Sequence, residues 1–379
     1  MKYCRKCVMP DTKPFIKFDD SGICNACNSH ILKNEFLNGI DWEQRKKEFE
    51  AIISQAKEKN APHYDVVIPV SGGKDSLTQV HIAMKYDLRI LAVNVDYGIK
   101  TEVGIHNLQL IPKMGATLMT VRPEQKHHNE MIKIGFEDFG DPDLMSHALL
   151  YAYPMWVAVN FSVPLVFWGE NTAFEYGGDK ISGQKTHIDR DWFYKYVVTK
   201  GITTDFISHK YNIPHCLLKV YDFPEEEIAN KAINAIFLSC FFLWDSEEHL
   251  KVAQQYGFHT LSHAREGTFR NYVGIDEKIN RIHQFMKVLK FGYGRASDHA
   301  CEEIRNNRMT REQAMELVRQ HDSDALSDYY VDDFCFLLGY TKEKFWEIME
   351  KHRNKDICKI KDDGRLEISG HKNFMEVDV

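Results

Sequence analysis

The chain has 379 residues, of which 44% are hydrophobic and 27% charged, with 11 prolines and 22 glycines. This length favours two or three folded units, and the balanced composition excludes collagen-like, mucin-like and wholly disordered chains. The formal net charge of −7 argues against a protein that coats nucleic acid nonspecifically, since that function needs a broad surface of lysine and arginine.

Four of the nine cysteines lie in the first 27 residues, as the pairs Cys4/Cys7 and Cys24/Cys27 with 16 residues between them. Each C-x2-C pair places two thiolates on one tight turn, so the two pairs supply a tetrahedral four-sulfur site of the zinc-ribbon or treble-clef type. Four thiolates leave no open position, so the pattern predicts a structural Zn²⁺ that stabilises a short segment. Chance spacing and a redox pair are the alternatives.

The start of the sequence lacks the apolar segment of a signal peptide, so we expect a cytoplasmic protein whose cysteines are thiols or metal ligands. The five cysteines beyond residue 27 are scattered. We expect them to be buried as small apolar side chains: Cys216, Cys240, Cys301, Cys335 and Cys358.

From residue 64 onward, short β-branched runs alternate with helix-length spacers, the runs being residues 65–70, 88–95, 116–121 and 163–168. This alternation predicts a mostly parallel sheet covered by helices on both faces. The uncharged stretch 149–168 is long enough to span a bilayer. Its two prolines instead divide it into a predicted helix, 153–161, and a strand, as in a buried α/β core.

The patterns of the remaining segments predict mainly helices. The charged residues 40–60 predict a connecting helix, whereas the pattern leaves the type of buried structure at 234–244 open. Thr310 and Gln313 form a capping box that begins one C-terminal helix, and residues 342–352 predict another. These patterns predict four parts: a Cys4 module (1–35), a linker helix (36–60), an α/β domain (61–245) and a mainly helical region (246–379).

A glycine-rich turn follows the first predicted strand, in the order Ser71, Gly72, Gly73, Lys74, Asp75, Ser76, and leads into a helix. Such a turn directs backbone N–H groups and the positive end of the helix at a phosphate, and the glycines permit close approach. The Walker A pattern is absent. In this context S-G-G-x-D-S resembles the PP-loop of N-type ATP pyrophosphatases, an adenine nucleotide alpha hydrolase-like α/β fold.

The PP-loop resemblance implies that ATP is cleaved between its α and β phosphates while AMP passes to an oxygen of the substrate. It implies that the serines and glycines at 71–73 and 76 hold pyrophosphate, that Lys74 neutralises charge and that Asp75 positions Mg²⁺. Residues 92–98 are similar to the V-D-x-G segment of the same enzymes, which makes Asp96 a candidate contact for ATP or Mg²⁺. Glu170 and Asn171 follow another strand, where ligands of α/β sheets bind. Polar turn residues are the alternative for all three.

Five segments together resemble the N-acetyl sugar amidotransferases of bacterial surface-polysaccharide biosynthesis, the WbpG/PseA type: residues 3–12, 18–27, 71–76, 167–171 and 291–298. The resemblance implies that ATP adenylates the N-acetyl oxygen of a sugar and that ammonia replaces it, giving an acetamidino group in an O-antigen or related glycan. The implied acceptors are a nucleotide-linked diacetamido uronic acid or a nonulosonic acid. Candidate contacts for their carboxylate or phosphates are His127, His128, His147, Arg265, Glu266, Arg270, Lys290 and Arg295, each with a structural role as its alternative.

The sequence contains no G-x-C-x-G glutaminase motif, so the resemblance implies a separate HisH-like glutaminase and a HisF-like subunit that delivers ammonia. Two alternatives remain. A zinc-bearing tRNA thiolase would use the net charge of +3 over residues 1–33, although no C-x2-C pair follows residue 27. A catalytically inactive PP-loop scaffold is the other.

Overall fold

The computed structural model describes residues 1–38, 40–171, 185–196 and 201–375. They divide into two compact units, here called the sheet unit (Gly39–Ile132 and Asp143–Thr260) and the helical unit (Met1–Asn38, Lys133–Pro142 and Leu261–Val379). The predicted four-part division stays a prediction, and the two units do not follow it: residues 133–142, for example, belong to the helical unit. Residues 246–260 belong to the sheet unit, and the Cys4 module shares a unit with the C-terminal helices.

Five parallel strands form the sheet in the order β3-β2-β1-β4-β5. They are β1 (Val66–Pro69), β2 (Ile90–Val95), β3 (Thr117–Val121), β4 (Leu165–Trp168) and β5 (Asn234–Phe237). All but the edge strand β3 are buried along nearly their whole length, as expected for a sheet covered on both faces. The predicted parallel α/β sheet is thus confirmed, and residues 234–237 prove to be strand.

The direction of the chain reverses once within this sheet. It runs outward from β1 through β2 to β3 and then crosses back past β1 to β4 and β5. Since crossovers between parallel strands are right-handed, crossovers in opposite directions place their helices on opposite faces. The carboxyl ends of β1 and β4 therefore lie side by side with connections that leave in different directions.

The helices are numbered here along the chain. They are α1 (Asn25–Asn38), α2 (Trp42–Glu58), α3 (Lys74–Lys85), α4 (Glu102–Leu108), α5 (Leu110–Lys113), α6 (Gln125–Phe139), α7 (Leu144–Phe161), α8 (Arg190–Tyr196), α9 (Thr204–Tyr211), α10 (His215–Leu218), α11 (Glu225–Asn230), α12 (Ser246–Gln254), α13 (Ile279–Phe291), α14 (Arg295–Arg305), α15 (Arg311–His321), α16 (Asp328–Leu338) and α17 (Lys342–His352). Short 3₁₀ turns occupy Lys219–Tyr221, Leu238–Cys240 and Ser369–Met375, and β6 (Cys358–Ile360) pairs with β7 (Leu366–Ile368) as a hairpin.

Helix α7 contains most of the long uncharged stretch. It begins at Leu144 and continues through Pro154, so the predicted start at residue 153 was wrong. Pro154 cannot donate to the carbonyl of Leu150 and crowds it, but packing on the sheet keeps the helix continuous. Among the described residues, none of the helices combines the length and the apolar character needed to cross a membrane.

The Cys4 module packs into the core of the helical unit. Its four cysteines are fully buried and share a hydrophobic cluster with side chains from α14 and α15, including Ala300, Ile304 and Val318. Helix α15 begins with the predicted capping box at Thr310 and Gln313, and α17 matches the predicted residues 342–352. Of the other cysteines, Cys216 is exposed and Cys240 partly exposed, so the expectation of burial was wrong for these two.

One buried polar contact joins α6 to two other segments of the sheet unit. The Nδ1 atom of His128 hydrogen-bonds the hydroxyl of Tyr221 at 2.9 Å, and its Nε2 atom lies 3.3 Å from the hydroxyl of Ser146. Burial, with a contribution from the charge of His127, lowers the pKa of His128 to about 4. The imidazole therefore stays neutral at physiological pH.

We predict that His128 makes the sheet unit less stable in mild acid. Below pH ~6.5 the unfolded chain gains a proton that the folded chain gains only near pH 4, so stability falls as the pH drops through this window. His128→Gln should flatten the decrease of unfolding temperature between pH 6.5 and 4.5, whereas the exposed His63→Gln should leave it unchanged. A slope in His128→Gln equal to that of the wild type would contradict this account.

Candidate functional site

The sheet unit has an open cavity of about 230 Å³ at the carboxyl ends of β1, β2 and β4. Its walls come from these strand ends, from α3 and α7, and from the segment before α12: Pro69, Val70, Ser71, Asp75, Ser76, Gln79, Val93, Val95, Leu150, Tyr151, Trp168, Gly169, Glu170 and Trp244. The cavity lies where β1 and β4 are neighbours and the chain direction reverses. Open α/β sheets bind ligands at this position because the diverging connections leave a crevice.

The turn between β1 and α3 depends on glycine at position 72. Gly72 has a φ of +93°, in a region that L side chains rarely adopt. A Cβ placed there would also lie 3.0 Å from the carbonyl oxygen of Gly104 and 3.0 Å from the backbone nitrogen of Leu108. Since both neighbours are backbone atoms of α4, neither can move away cheaply.

The same turn is internally hydrogen-bonded and leads directly into the helix. The backbone N–H of Ser71 donates to Ser76 Oγ at 3.0 Å, and that of Gly73 donates to Ser71 Oγ at 3.2 Å. Gly73 is the N-cap of α3, and it provides no side-chain cap. The positive end of α3 thus lies beside the cavity, in the arrangement that favours a bound phosphate.

Lys74, Asp75 and His249 form a charged cluster at this helix end. Asp75 pairs through Oδ2 with Lys74 Nζ at 2.7 Å and through Oδ1 with His249 Nδ1 at 2.7 Å. Burial opposes ionisation of Asp75, but the charge of Lys74 and the hydrogen bond from His249 outweigh it and lower the pKa of the carboxyl. Asp75 is therefore a carboxylate over the whole physiological range, as a magnesium ligand must be.

His249 was missed by the sequence reasoning, which assigned the chain beyond residue 245 to the helical region, and Trp244 was predicted only as part of the buried segment 234–244. Asp245 caps α12 by accepting from the backbone N–H groups of Glu247 and Glu248, and this helix carries His249 to the cavity. The indole of Trp244 packs edge-on against His249 with 4.3 Å between ring centroids and donates to Glu170 Oε2 at 3.1 Å. The Asp245 cap was the local signal that a helix begins here.

The wall formed by β4, α3 and α7 is suited to an aromatic ligand with polar edges. Tyr151 stacks on Trp168 with ring centroids 4.6 Å apart and planes inclined by 10°. Trp168 Nε1 and Gln79 Oε1 are both buried and have no hydrogen-bond partner within the described chain. A donor and an acceptor that line a cavity in this state each gain a hydrogen bond when a ligand supplies the matching group.

Six predicted site residues lie outside the cavity lining: Gly72, Gly73 and Lys74 of the turn beside it, and Asp96, Asn171 and Arg295. Asp96 follows β2 and pairs with Arg122. Asn171 is fully buried, where its Nδ2 donates to the carbonyl of Lys185 and its Oδ1 accepts from Trp192. Arg295 lies at the start of α14 in the helical unit. Their predicted roles in binding ATP or substrate stay predictions, and the geometry gives Asn171 a structural role.

The remaining candidates for binding the acceptor have structural contacts of their own. His127 Nε2 lies 3.2 Å from the carbonyl of Leu217, and His147 Nδ1 lies 3.0 Å from that of Asp143. Lys290 donates to the carbonyls of Phe139 and Gly140 at the end of α6. Glu266 accepts from the backbone of Ser327, and Arg270 pairs with Glu302 and Glu303.

The four N-terminal cysteines form a candidate metal centre in the helical unit. All four sulfur atoms lie within 4.8 Å of one another, with 4.0 Å between Cys4 and Cys27 and 3.8 Å between Cys7 and Cys24. A tetrahedral zinc with Zn–S bonds of ~2.3 Å requires sulfurs ~3.8 Å apart, so the set fits the metal. Backbone N–H groups of Cys7 and Cys24 donate to Cys4 Sγ, as is favourable for a thiolate.

Two arginines support this centre. Arg311 donates to the carbonyls of Cys7 and Cys4 at 3.2 and 3.5 Å and so connects the first cysteine turn to α15. The guanidinium of Arg305 lies in the field of the cysteine sulfurs. Since a zinc bound by four thiolates carries a net charge of −2, a nearby cation stabilises it in a buried position.

We predict opposite outcomes for alanine at the two neighbouring glycines of the turn. Gly72→Ala should lower the free energy of unfolding by about 1–3 kcal/mol, because it combines a strained backbone with a clash. Gly73→Ala should be tolerated, since φ is −73° and the nearest atom to its Cβ is Ser71 Oγ at 3.4 Å. Denaturant unfolding measures both, and equal stability of the two variants would show that the turn is not constrained in this way.

We predict one zinc ion per chain, bound by the four cysteines. Cys24→Ser should lose the metal and lower the unfolding temperature, because the centre is part of the core of the helical unit. The matched control is Cys216→Ser, which replaces an exposed cysteine outside the cluster and should keep the metal. Elemental analysis and thermal unfolding decide the matter, and a metal content unchanged in Cys24→Ser would refute the assignment.

Comparison with known proteins gives a family match over part of the chain and likenesses to solved structures. Residues 266–367 match the family model described as "LPS biosynthesis protein WbpG-like, C-terminal domain". No curated protein matches the chain. Among solved structures, an NMN synthetase from Francisella tularensis aligns at 13% identity over 57% of this chain and 93% of its own, with a TM-score of 0.28, which is too low to bear on the fold. The family match supports a relation of the helical unit to WbpG-like proteins of lipopolysaccharide biosynthesis.

Proposed function

We propose that the protein is an ATP-dependent amidotransferase that converts an acetamido group of a sugar into an acetamidino group. The observation that carries the proposal is the turn after β1, where a glycine-dependent bend, an uncapped helix N-terminus and the Lys74–Asp75 pair meet at the edge of a cavity. Together these three features can bind the phosphates of a nucleotide. The match of residues 266–367 to a WbpG-like domain supports surface-glycan biosynthesis.

The chemistry follows from the low reactivity of amides. The acetamido oxygen attacks the α-phosphorus of ATP, the bond to the β-phosphate breaks, and pyrophosphate leaves. Ammonia then adds to the carbon of the O-adenylyl imidate, and the carbon–oxygen bond breaks to release AMP with the former amide oxygen. Because AMP is a far better leaving group than oxide, activation makes the exchange of oxygen for nitrogen feasible.

The residues at the cavity have complementary roles in this proposal. The N–H groups at the start of α3 and the side chain of Lys74 bind the pyrophosphate as negative charge develops on it. His249 orients the carboxylate of Asp75. Mg²⁺, when bound with ATP, would neutralise phosphate charge, and Asp75 is the residue suited to hold it. Tyr151, Trp168 and Gln79 form the wall for the adenine or the sugar.

The acceptor and the partners follow from the family likeness. We propose a nucleotide-linked diacetamido uronic acid or a nonulosonic acid as acceptor, in the cytoplasm, with ammonia from a HisH-like glutaminase and a HisF-like subunit. The tRNA thiolase alternative is less favoured for two reasons. Among the described residues, those that line the cavity include no cysteine, and the matching family is described as one of lipopolysaccharide biosynthesis.

We predict that ammonium salt alone supports the reaction of the purified protein and that ¹⁸O in the acetamido group passes to AMP. Candidate sugars labelled in the acetyl oxygen would be incubated with ATP, Mg²⁺ and ammonium, and mass spectrometry would detect labelled AMP together with an acetamidino product about 1 Da lighter than its unlabelled precursor. Lys74→Ala should lower kcat at least 10²-fold, as expected on loss of a group that stabilises transition-state charge.

The matched control is Lys85→Ala, which removes a lysine from the other end of the same helix and should leave turnover unchanged. Accumulation of ADP in place of AMP, or product formation with unlabelled AMP, would refute the proposed activation step. Glutamine should support turnover only after a glutaminase partner is added.

A further inference from the structure

Three buried or partly buried arginines lie close together in the helical unit, on the loop before α13, on α13 and on α14. Arg265 is 9% exposed and Arg281 is 2% exposed. The Nη2 atom of Arg265 donates to Asn280 Oδ1 at 2.7 Å, and Nη2 of Arg295 lies 3.4 Å from the same oxygen. Two cations therefore converge on one neutral acceptor.

These arginines are incompletely satisfied. Within the described residues, Arg265 Nη1 and Arg295 Nε are buried and have no hydrogen-bond partner. In the part of the chain that the structure describes, Arg265 donates to Asn280 and to the carbonyl of Val273, and neither acceptor is charged. Burial, and then the charges of Arg295 and Arg281, lower the pKa of the Arg265 guanidinium to about 10. A buried cation in this state is costly unless an anion compensates it.

A neighbouring arginine has the contacts that a structural role requires. Arg270 is as buried as Arg265, but it pairs with the carboxylates of both Glu302 and Glu303. Of the acidic groups around the three arginines, Glu266 forms an ion pair with Arg281, and Asp324 also attracts that guanidinium. Glu266 lies 3.5 Å from Arg281 Nε, and Asp276 influences Arg265 without forming an ion pair with it.

We propose that Arg265 and Arg295, supported by Arg281, form a binding site for the oxyanion of a small molecule, a carboxylate or a phosphate. Their free N–H groups supply the donors that such a group accepts, and guanidinium groups match both ions in geometry. The Asn280 side chain holds the two guanidinium groups in place before the ligand binds. That the ligand is the acidic group of the acceptor sugar rests on the proposed function, whereas the site itself does not.

We predict that the zinc-loaded protein binds an oxyanion through these residues. Calorimetric titrations with inorganic phosphate and with glucuronate would show whether the site prefers a phosphate or a carboxylate. Sodium chloride keeps the ionic strength equal in both titrations. Glucose is the uncharged control for glucuronate. Arg265→Met and Arg295→Met should each weaken binding at least ~10-fold, since each removes charge-assisted hydrogen bonds to the anion. The exposed Arg365→Met should bind as the wild type does.

Phosphate can also bind the turn after β1, so Lys74→Ala is the second control. A phosphate response that persists in Lys74→Ala and disappears in Arg265→Met assigns the ion to the arginines, and the opposite pattern refutes the site for phosphate. Binding of neither phosphate nor glucuronate through Arg265 overturns the proposal.

Stability without ligand gives a readout independent of turnover. Arg265→Met should unfold at the same temperature as the wild type or higher, because it removes an uncompensated buried charge. A marked loss of stability together with no anion response in the wild type would instead identify Arg265 as structural.

Discussion

The reversal of chain direction between β1 and β4 is the constraint on which the candidate site depends. Both strands are parallel and end at the same edge of the sheet, but their connections leave in different directions. The crevice left between them receives the turn at 71–76 from one side and residues 168–170 from the other. The left-handed Gly72 lets the chain pass from β1 into α3 while the N-terminus of that helix remains beside the cavity.

The two units differ in how their buried positive charges are compensated. In the sheet unit, Lys74 is compensated by Asp75, which is also bonded to His249, so the cavity keeps an ionised carboxylate beside a phosphate-binding turn. In the helical unit, Arg265 and Arg295 share the neutral oxygen of Asn280. The first arrangement is electrostatically complete without ligand and the second is not, which is why the second points to an anion from outside the chain.

Local sequence patterns predicted the strands and helices well, but they did not predict which side chains meet in the folded chain. The alternation of apolar runs and spacers identified four of the five strands of the parallel sheet. The cap at Thr310 correctly marked the start of α15. The prediction for Pro154 was wrong because a proline ends an isolated helix more readily than it ends a helix that is packed on a sheet. His249 was missed because it lies 174 residues from Asp75, and no local pattern records which distant helix packs on α3.

The sequence by itself determined the parallel α/β class, the glycine-rich turn and the two C-x2-C pairs, because each depends on residues close together along the chain. Only the tertiary structure decided that the four sulfurs meet within 4.8 Å, that Asn171 is hydrogen-bonded to Trp192 and that Arg265 approaches Arg295. Packing brings side chains together across large sequence separations, and it is set by the fit of whole helices and strands.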